Sequence, residues 1–515
     1  GSGLGVYSRI YAPTAAAPVI AMGDGKVVVG GTVSLPEVTQ SALAATSTTP
    51  SGKLEIKSWQ FTDQTTGGGH FVVNGVAQSD GVAFTVAADK LHNVQWVGGS
   101  APGTDTVTVQ ALDASGNAWG VADTSTLTTV VPPGPLLVTP ETRVNTYTTN
   151  TQWEARAAVL SDGGHVVVWG SQGVDGSDYG IAAQRYDAAG NKVGSEFVVN
   201  TVTTGAQTTP YVAALSDGGY VVTWNSNDGS DSGVFGQRYN AAGAKVGPDF
   251  LINQLTSGAQ FSGQVVGLTN GGFVVAFENY GAGGEISFRL YGADGQAHGG
   301  DFTWVNTNMA NRQTAPSVSA LPGGGFIIAW QTWDNSAEGV AARIFNANGE
   351  AVTGEFAVNT YTNLGQGMPV VTTLTDGSFV IAWGTQDGSS NGVAMRRYSV
   401  TGTPLTAEAA VNTTTADQQS YASITALSDG GYVISWSSQG QDSSGYGIYA
   451  QRYDAFNVKV GGEFRVPTMS ALNQHRVHVT GRLDGGFVAT WDSDGQDGSG
   501  LGVYSRIYAP TAAAP

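Results

Sequence analysis

Most of the stretch LSDGGYVVTWNSNDGSDSGVFGQRYNAAGAKVGPDFLIN, residues 215–253, recurs along the chain. Its Asp217 has counterparts 53 or 55 residues apart, at Asp162, Asn270, Gly323, Asp376, Asp429 and Asp484. The aromatic residue seven places later keeps the same spacing, at Trp169, Trp224, Phe277, Trp330, Trp383, Trp436 and Trp491. Seven copies of one unit, each about 50 residues long, are typical of a repeat architecture.

Each copy predicts four short strands. An Asp at the start of a turn bonds its own backbone two residues on, and glycines accept positive φ, so the Asp-Gly-Gly step predicts a tight hairpin. The run after it (YVVTW, FVVAF, FIIAW) is apolar at nearly every position, which favours a strand covered on both faces. A third run (GVFGQRYN) and a short EFxVN run follow. Such four-stranded antiparallel meanders suit the blades of a β-propeller.

The two ends of the repeat array indicate how it closes. The seventh copy stops after GVYSRIYAP without an EFxVN run, and a spare ETRVN stands before the first copy at residues 141–145. One blade built from both ends of the array would lock a ring and remove free sheet edges. We therefore predict a seven-bladed β-propeller over residues 136–509, closed by a strand at 141–145 that completes the last blade.

Residues 19–131 show no such repeat. They contain about seven short strand-like runs between Gly, Ser and Asp turns, which predicts an immunoglobulin-like β-sandwich. Residues 132–135 predict a stiff proline-containing linker, so the whole chain is expected to be all-β. Residues 1–18 are identical to residues 498–515, which predicts that 1–18 are the tail of a preceding tandem repeat and that 510–515 lead into the next one.

Composition excludes several function classes. The chain has 515 residues, a net charge of −18 and no cysteine. A nucleic-acid partner is unexpected, because binding to phosphates needs dense positive charge. Disulfides and thiolate metal sites are impossible without cysteine. The sequence contains no apolar run of membrane-spanning length, so we expect no direct membrane insertion.

The units SDGGYVVTW…DGSDSGVFGQRYNAAGAKVG and SDGGYVISW…QDSSGYGIYAQRYDAFNVKVG resemble the repeats of giant bacterial extracellular proteins of the type I-secreted, RTX-adhesin-like family. The segment at residues 103–120 resembles the Ig- or cadherin-like modules of the same proteins. The resemblance implies a non-catalytic unit of a cell-surface or extracellular fibre that mediates adhesion. Its implied partners are neighbouring repeats of the same protein and surface glycans or other cells. The family's calcium-binding nonapeptide, Gly-Gly-x-Gly-x-Asp, does not occur here.

Calcium is the one cofactor that the residues suggest. Ca²⁺ takes six to eight oxygen ligands in flexible geometry, and loops between the second and third strands are rich in such oxygens. The alternative is that Asp, Gly and Ser simply make good exposed turns. The candidate ligands are Asp492, Asp494, Asp497, Asp175, Asp178, Asn227, Asp228 and Asp231.

Two other functions stay open at this stage. The first is a lectin-like module that binds glycans on a propeller face, because aromatic faces stack on sugars. The second is a propeller glycoside hydrolase or lyase, whose acids would come from different blades. A functional site would lie in the irregular copies, which are the third, FENYGAGGEISFRLYGADG with Glu278 and Glu285, and the fourth, WQTWDNSAEG with Trp330 and Trp333. We expect no catalytic residues and no enzymatic activity, because the repeated residues have folding reasons to recur.

Overall fold

A computed structural model describes residues 25–28, 32–34, 58–64, 68–87, 90, 93–97, 103–112, 115–118, 122–130, 136–302, 305–309, 311–333, 337–362, 364–386, 390–442 and 445–510. The chain divides into two compact units, residues 1–134 and 135–515. The predictions for residues 1–18, for the linker 132–135 and for residues 511–515 fall outside the described residues.

The first unit contains two sheets. The strands are β1 (Gly25–Val28), β2 (Thr32–Ser34), β3 (Ser58–Asp63), β4 (His70–Val73), β5 (Val76–Ala77), β6 (Phe84–Ala87), β7 (Val94–Val97), β8 (Gly103–Leu112) and β9 (Asp123–Val130). One sheet has the order β1-β9-β8-β3-β6 and the other β2-β7-β4-β5. Phe61 of β3 lies 5.6 Å from Phe71 of β4, ring centroid to centroid, so the apolar core joins both sheets.

The second unit repeats one four-stranded antiparallel sheet. Sheet I is β12 (Gln152–Val159), β13 (His165–Gln172), β14 (Tyr179–Tyr186) and β15 (Lys192–Val198), preceded by β10 (Leu136–Val138) and β11 (Thr142–Arg143). Sheet II is β16 (Thr208–Ala214), β17 (Tyr220–Asn227), β18 (Ser232–Tyr239) and β19 (Lys245–Leu251). Sheet III is β20 (Gln260–Gly267), β21 (Phe273–Asn279), β22 (Glu285–Tyr291) and β23 (Ala297–Phe302).

The remaining sheets keep this order. Sheet IV is β24 (Thr314–Ala320), β25 (Phe326–Trp333), β26 (Glu338–Phe345) and β27 (Phe356–Ala357). Sheet V is β28 (Gln366–Thr373), β29 (Phe379–Gln386), β30 (Asn391–Tyr398) and β31 (Ala409–Ala410). Sheet VI is β32 (Gln419–Ala426), β33 (Tyr432–Gln439), β34 (Tyr446–Tyr453) and β35 (Lys459–Arg465). Sheet VII is β36 (Gln474–Gly481), β37 (Phe487–Asp494) and β38 (Leu501–Pro510), with β10 and β11 on its outer side.

The predicted hairpin chemistry is present in the sheets. The side chain of Asp217 accepts a hydrogen bond from the Gly219 nitrogen at 2.9 Å, and Gly218 has a φ of 84° that a side chain would strain. The second strands are buried along nearly their whole length, and the aromatics Trp169, Trp224, Phe277, Trp330, Trp383, Trp436 and Trp491 are all at most 2% exposed. The continuous apolar pattern therefore marks strands packed between neighbouring sheets.

Ring stacking joins the second and third strands of every sheet in the second unit. Tyr220 and Tyr239, for example, stack with ring centroids 4.6 Å apart. Stacked pairs occupy the same place in the other sheets, at His165–Tyr186, Phe273–Tyr291, Phe326–Phe345, Phe379–Tyr398, Tyr432–Tyr453 and Phe487–Tyr508. These pairs explain why the Tyr of the repeated Arg-Tyr step recurs: it is a packing residue.

The first strands of the sheets contact one another in sequence, from β12 through β16, β20, β24, β28 and β32 to β36. Strand β36 in turn contacts β12, so the series of contacts ends where it began, and the fold is propeller-like. In sheet VII, Thr142 pairs with Ser505 and Arg143 with Tyr504, and the Val144 nitrogen donates to the Val503 oxygen at 2.8 Å. Within the described residues, no helix is long and apolar enough to cross a membrane.

Candidate functional site

The Asn that ends each EFxVN run ties neighbouring strands and sheets together. The Oδ1 atom of Asn253 accepts a hydrogen bond from the Val234 nitrogen at 2.7 Å, inside the same sheet. Its Nδ2 donates to Gln260 Oε1, at the start of the next sheet, at 2.8 Å. The same pair of contacts is made by Asn145, Asn200, Asn359 and Asn412. The motif therefore recurs because a buried amide holds the sheets in register.

Three of the predicted calcium ligands bind this amide. Asp175, Asp228 and Asp497 accept hydrogen bonds from Nδ2 of Asn200, Asn253 and Asn145 at 2.9, 3.3 and 3.1 Å. The second carboxylate oxygen of each accepts a backbone N–H of its own turn, such as Ser177 for Asp175. Each of these carboxylates therefore fixes its own turn and also the asparagine side chain.

The other predicted calcium ligands do not make this hydrogen bond to an asparagine amide. Asp178 and Asp231 are exposed in the turns, whereas Asn227 is exposed but is the last residue of β17, where it pairs with Ser232, so its expected loop position is wrong. Asp492 and Asp494 were expected in a loop, and that expectation is wrong: β37 continues through both because Asp494 still pairs with Leu501. Among the described residues, no group of three or more His, Asp or Glu side chains could hold a metal ion. Calcium binding stays a prediction.

Every sheet of the second unit carries a bulge near the start of its first strand. The second or third residue of that strand has a positive φ of 50–57° in all seven copies: Glu154, Thr209, Ser262, Ala315, Met368, Tyr421 and Arg476. None is glycine, so each adopts a backbone conformation that L-residues rarely take. Such strained positions concentrate at functional sites, which directs attention to this end of the sheets.

A side chain from the preceding sheet satisfies several of these bulges. The side chain of the residue after the repeated aromatic accepts a hydrogen bond from the backbone nitrogen of the bulge residue in the next sheet. Asp492 Oδ2 accepts from Glu154 at 3.0 Å, Glu278 Oε1 from Ala315 at 2.9 Å, and Gln331 Oε1 from Met368 at 3.1 Å. The position after the repeated aromatic, here called the slot, was not predicted from the sequence as a functional position. The sequence does show that its residue differs between copies: Gly170, Asn225, Glu278, Gln331, Gly384, Ser437 and Asp492. We call the contact between one sheet and the first strand of the next sheet a seam. The side chains at the seams therefore differ in chemistry, while the backbone stays constant.

The seam between sheets VII and I is acidic. Asp492 is fully buried, its Oδ1 has no hydrogen-bond partner, and Arg476 lies 3.4 Å from its Oδ2. Burial raises the pKa of Asp492 to about 7, since desolvation disfavours the ionised form more than the hydrogen bond to Glu154 and the charge of Arg476 favour it. The Arg476 guanidinium also lies over the Trp153 ring, 5.1 Å from its centroid.

The seam between sheets III and IV combines an acid with a tyrosine. Tyr280, in a short 3-10 segment (Tyr280–Ala282) after β21, donates its hydroxyl to Glu278 Oε2 at 2.6 Å. The Arg312 guanidinium lies over the Tyr280 ring at 4.1 Å, and Phe261 packs edge-on against that ring at 5.5 Å. Glu285, the other acid of this copy, is buried and bonds Asn306 instead. It therefore takes the structural role that Asp175 has in sheet I.

A cavity of about 320 Å³ opens between sheets IV, V and VI. Gly367 and Gly384 face each other across β28 and β29 there, whereas the same pair in sheet VII is His475 and Asp492. A Cβ on Gly384 would meet only the Gly367 oxygen, at 3.4 Å, so a larger residue at this position would begin without a clash. The lining carries amide, hydroxyl and carboxylate groups from Gln331, Glu338, Gln366, Thr385, Asn391, Gln418, Gln419 and Ser420.

Two apolar side chains stand at this cavity and remain exposed. Tyr421 is 48% and Met368 52% exposed, although both line the cavity and both occupy bulge positions. A hydrogen bond orients the side chain of Gln418, because its Oε1 accepts from the Tyr446 hydroxyl at 2.8 Å. An aromatic face beside fixed amides is an arrangement that binds polyhydroxylated ligands. This site was not predicted from the sequence, where its signal is two glycines at positions that hold larger residues in most other copies.

No family model matches the chain, and a search among curated proteins gives no match. Solved structures do resemble it. A protein of unknown function from Dyadobacter fermentans has 12% identity over 73% of this chain and 100% of its own, with a TM-score of 0.46. An α-L-arabinanase from Penicillium chrysogenum, complexed with arabinobiose, has 14% identity over 58% of this chain and 92% of its own, with a TM-score of 0.41. Polysaccharide lyase Uly1 has 10% identity over 69% and 89%, with a TM-score of 0.45.

These comparisons correct one prediction. The expectation of a chain without enzymatic activity is contradicted, because similar structures bear the names of enzymes that cleave glycans. That expectation was wrong because a residue that recurs in every copy was assumed to have only a structural role. The recurrent framework holds a slot at each seam, and the side chain in that slot differs from sheet to sheet.

Proposed function

We propose that the second unit acts on glycans, which it binds in the cavity between sheets IV, V and VI. The observation that carries this proposal is a cavity of about 320 Å³, lined by Gly367 and Gly384, beside the exposed ring of Tyr421. A volume of this size is within the range of small-ligand sites.

The lining suits the chemistry of sugars. Each hydroxyl of a sugar donates and accepts hydrogen bonds, and an amide side chain offers both functions. Gln331 uses its Oε1 for the Met368 nitrogen, which orients its Nε2 group. The carbon faces of a pyranose or furanose ring are apolar, so they pack on an aromatic face such as that of Tyr421.

We further propose that the second unit is a seven-bladed propeller closed by a shared outer strand. The side chain of Glu141 accepts hydrogen bonds from the nitrogen and hydroxyl of Thr468, both at 2.7 Å. Glu196, Glu355 and Glu408 bind Thr146, Thr307 and Thr360 in the same way. The spare ETRVN segment thus makes the contact that an EFxVN strand makes elsewhere, which supports ring closure from both ends of the array.

For the first unit we propose an immunoglobulin-like sandwich, supported by two sheets whose aromatic residues share one core. An extracellular or bacterial cell-surface location remains a proposal from the sequence resemblance, and glycan binding is compatible with it. From the same resemblance we propose a relation to RTX-adhesin-like proteins.

A glycan array probed with the full chain tests the proposed function, followed by calorimetric titration with the glycan that binds best. We expect selective binding, and we expect Tyr421→Ala to weaken it by about 3- to 10-fold, because a stacking contact is worth about 0.5–1.5 kcal/mol. The matched control is Val400→Ala, an exposed residue in the turn after β30. A blank array, or equal affinity for Tyr421→Ala and the wild type, would overturn the proposal.

A further inference from the structure

The pair Tyr280 and Glu278 has the geometry of a nucleophile with its base. The phenol hydroxyl of Tyr280 lies 2.6 Å from Glu278 Oε2, which is short enough for direct proton transfer. Glu278 is only 7% exposed, whereas Tyr280 is partly exposed, so the acid is held inside and the phenol faces outward.

A third group orients the base. Glu278 Oε1 accepts a hydrogen bond from the Ala315 nitrogen of sheet IV at 2.9 Å, which leaves Oε2 for the phenol. Nucleophile, base and orienting group in hydrogen-bonded series is the arrangement that activates weak nucleophiles in enzymes. Asp492 and Gln331 occupy the same slot in other sheets, but the described residues give neither of them a tyrosine hydroxyl partner.

The loop that carries Tyr280 is fixed by close packing. A Cβ on Gly281 would lie 1.8 Å from the Ser257 oxygen, so only glycine lets the loop approach this closely. The Arg312 guanidinium, 4.1 Å above the phenol ring, favours the phenolate, since a cation over a ring stabilises negative charge there. Burial and Glu278 together raise the pKa of Tyr280 to about 12, so the free phenol needs its base in order to react at neutral pH.

We propose that Tyr280 and Glu278 form a catalytic pair that cleaves the glycosidic bond of an O-glycoside by double displacement. In the first step the Tyr280 oxygen bonds to the anomeric carbon and the phenol proton moves to Glu278. The bond from that carbon to the leaving oxygen breaks with its electron pair, and the leaving oxygen takes a proton from water. In the second step water bonds to the anomeric carbon and loses a proton to the solvent hydroxide left by the first step. The tyrosine–sugar bond breaks, and the phenolate recovers its proton from Glu278.

The net reaction consumes one water per glycosidic bond and retains the configuration at the anomeric carbon, because two displacements each invert it. This inference rests on the proposed function for its ligand class, but its residues lie in a different seam from the cavity. Binding at the cavity and cleavage at Tyr280 are therefore separable by mutation.

The test uses the full chain with 4-methylumbelliferyl glycosides of α-L-arabinofuranose, β-D-galactose, β-D-glucose and N-acetylneuraminic acid. We expect release of the fluorophore from at least one of them, with retention of configuration by NMR. Tyr280→Phe and Glu278→Gln should each lower kcat/KM by about 10²–10⁴-fold, which is the usual loss on removing a proton-transfer group. Glu278→Gln keeps an oxygen for the Ala315 nitrogen, so a loss of activity without a loss of melting temperature would assign a chemical role.

Matched controls are Tyr179→Phe and Asp492→Asn, the latter in the equivalent slot of sheet VII. Both should keep wild-type kcat/KM. The inference is overturned by inversion of configuration, by full activity of Tyr280→Phe, or by no release from any of the four probes. If the array shows glycan binding while the probes stay intact, only this inference fails. A blank array with active cleavage would instead remove the cavity as the binding site.

Discussion

The carboxylate of Asp492 accepts a hydrogen bond from the backbone nitrogen of Glu154 at 3.0 Å, although 338 residues separate the two in the chain. The contact joins the last sheet of the second unit to the first. Arg476 is the cation beside it, and Glu154 adds a negative charge that opposes ionisation.

We predict that Asp492→Asn stabilises the protein at pH 8 and stabilises it by a clearly smaller amount at pH 5. The folded-state pKa of Asp492, about 7, lies above its ordinary value of 3.8, so the native state binds more protons and loses stability as pH rises through this window. A difference of about 3 pKa units corresponds to roughly 4 kcal/mol at most. Thermal melts of both proteins at pH 5, 6, 7 and 8 measure the effect.

Asp484→Asn is the control for that experiment. Hydrogen bonds from Arg482 and the Gly486 nitrogen outweigh desolvation and lower the pKa of Asp484, so its contribution changes only below its ordinary pKa. Its stability difference from the wild type should be the same at pH 5 and pH 8. A parallel pH dependence in the wild type and Asp492→Asn would contradict the prediction.

A second pH effect has the opposite sign. His165 is buried and stacks on Tyr186 with ring centroids 4.6 Å apart. Burial, aided by the nearby charge of Arg482, lowers the pKa of His165 to about 4. Stability from this group is therefore lost as pH falls from 6.5 towards 4, because the unfolded chain takes up the proton first. His165→Phe, which supplies the ring found in sheets III, IV and V, should melt higher than the wild type at pH 4.5, with the difference shrinking at pH 7.5.

Removal of one amide from the EFxVN framework should be costly. Asn253→Ala leaves the Val234 nitrogen, Asp228 and Gln260 without their shared partner. Buried polar groups left unpaired cost about 1–3 kcal/mol each, so we expect a loss of about 3 kcal/mol or more. Urea unfolding followed by tryptophan fluorescence measures it. Asn240→Ala, which removes an exposed turn amide, should change stability by less than about 1 kcal/mol, and equal losses for the two variants would argue against the framework role.

The cavity can be filled without disturbing its walls. Gly384→Leu adds a side chain at a cavity-lining position where a Cβ makes only a van der Waals contact, with the Gly367 oxygen at 3.4 Å. We expect an unchanged melting temperature and a loss of glycan affinity of at least about 10-fold by calorimetric titration. Gly462→Leu, at a position with no atom within 4 Å of its Cβ, is the control and should bind like the wild type.

Calcium binding at the turns has a direct test. If Asp175, Asp228 and Asp497 hold Ca²⁺ as well as their asparagines, a chelator should lower the melting temperature and added Ca²⁺ should restore it. Asp228→Asn should then remove part of that response. An identical melt with and without chelator would show that these acids serve the turns and the amides alone.

The repeat could be predicted from residues 215–253 because its physical causes are local. An Asp-Gly-Gly turn, an apolar run and a stacked aromatic pair each act over a few residues, so their spacing reveals the strands and the boundaries of each sheet. The position of Asp492 within a strand was harder to predict. The sequence shows an Asp-Gly-rich stretch there, but it does not show where the pairing of β37 with β38 ends.

The site was decided only by tertiary structure. Tyr280 and Glu278 are near neighbours in sequence, and the irregular third copy was recognised, but the group that orients the base, Ala315, belongs to another sheet. Gly367 and Gly384 likewise line a cavity only because residues of sheets IV and VI complete its walls. A repeated sequence determines its own sheet through short-range contacts, whereas the chemistry of a seam depends on which side chains two separate repeats bring to the same place.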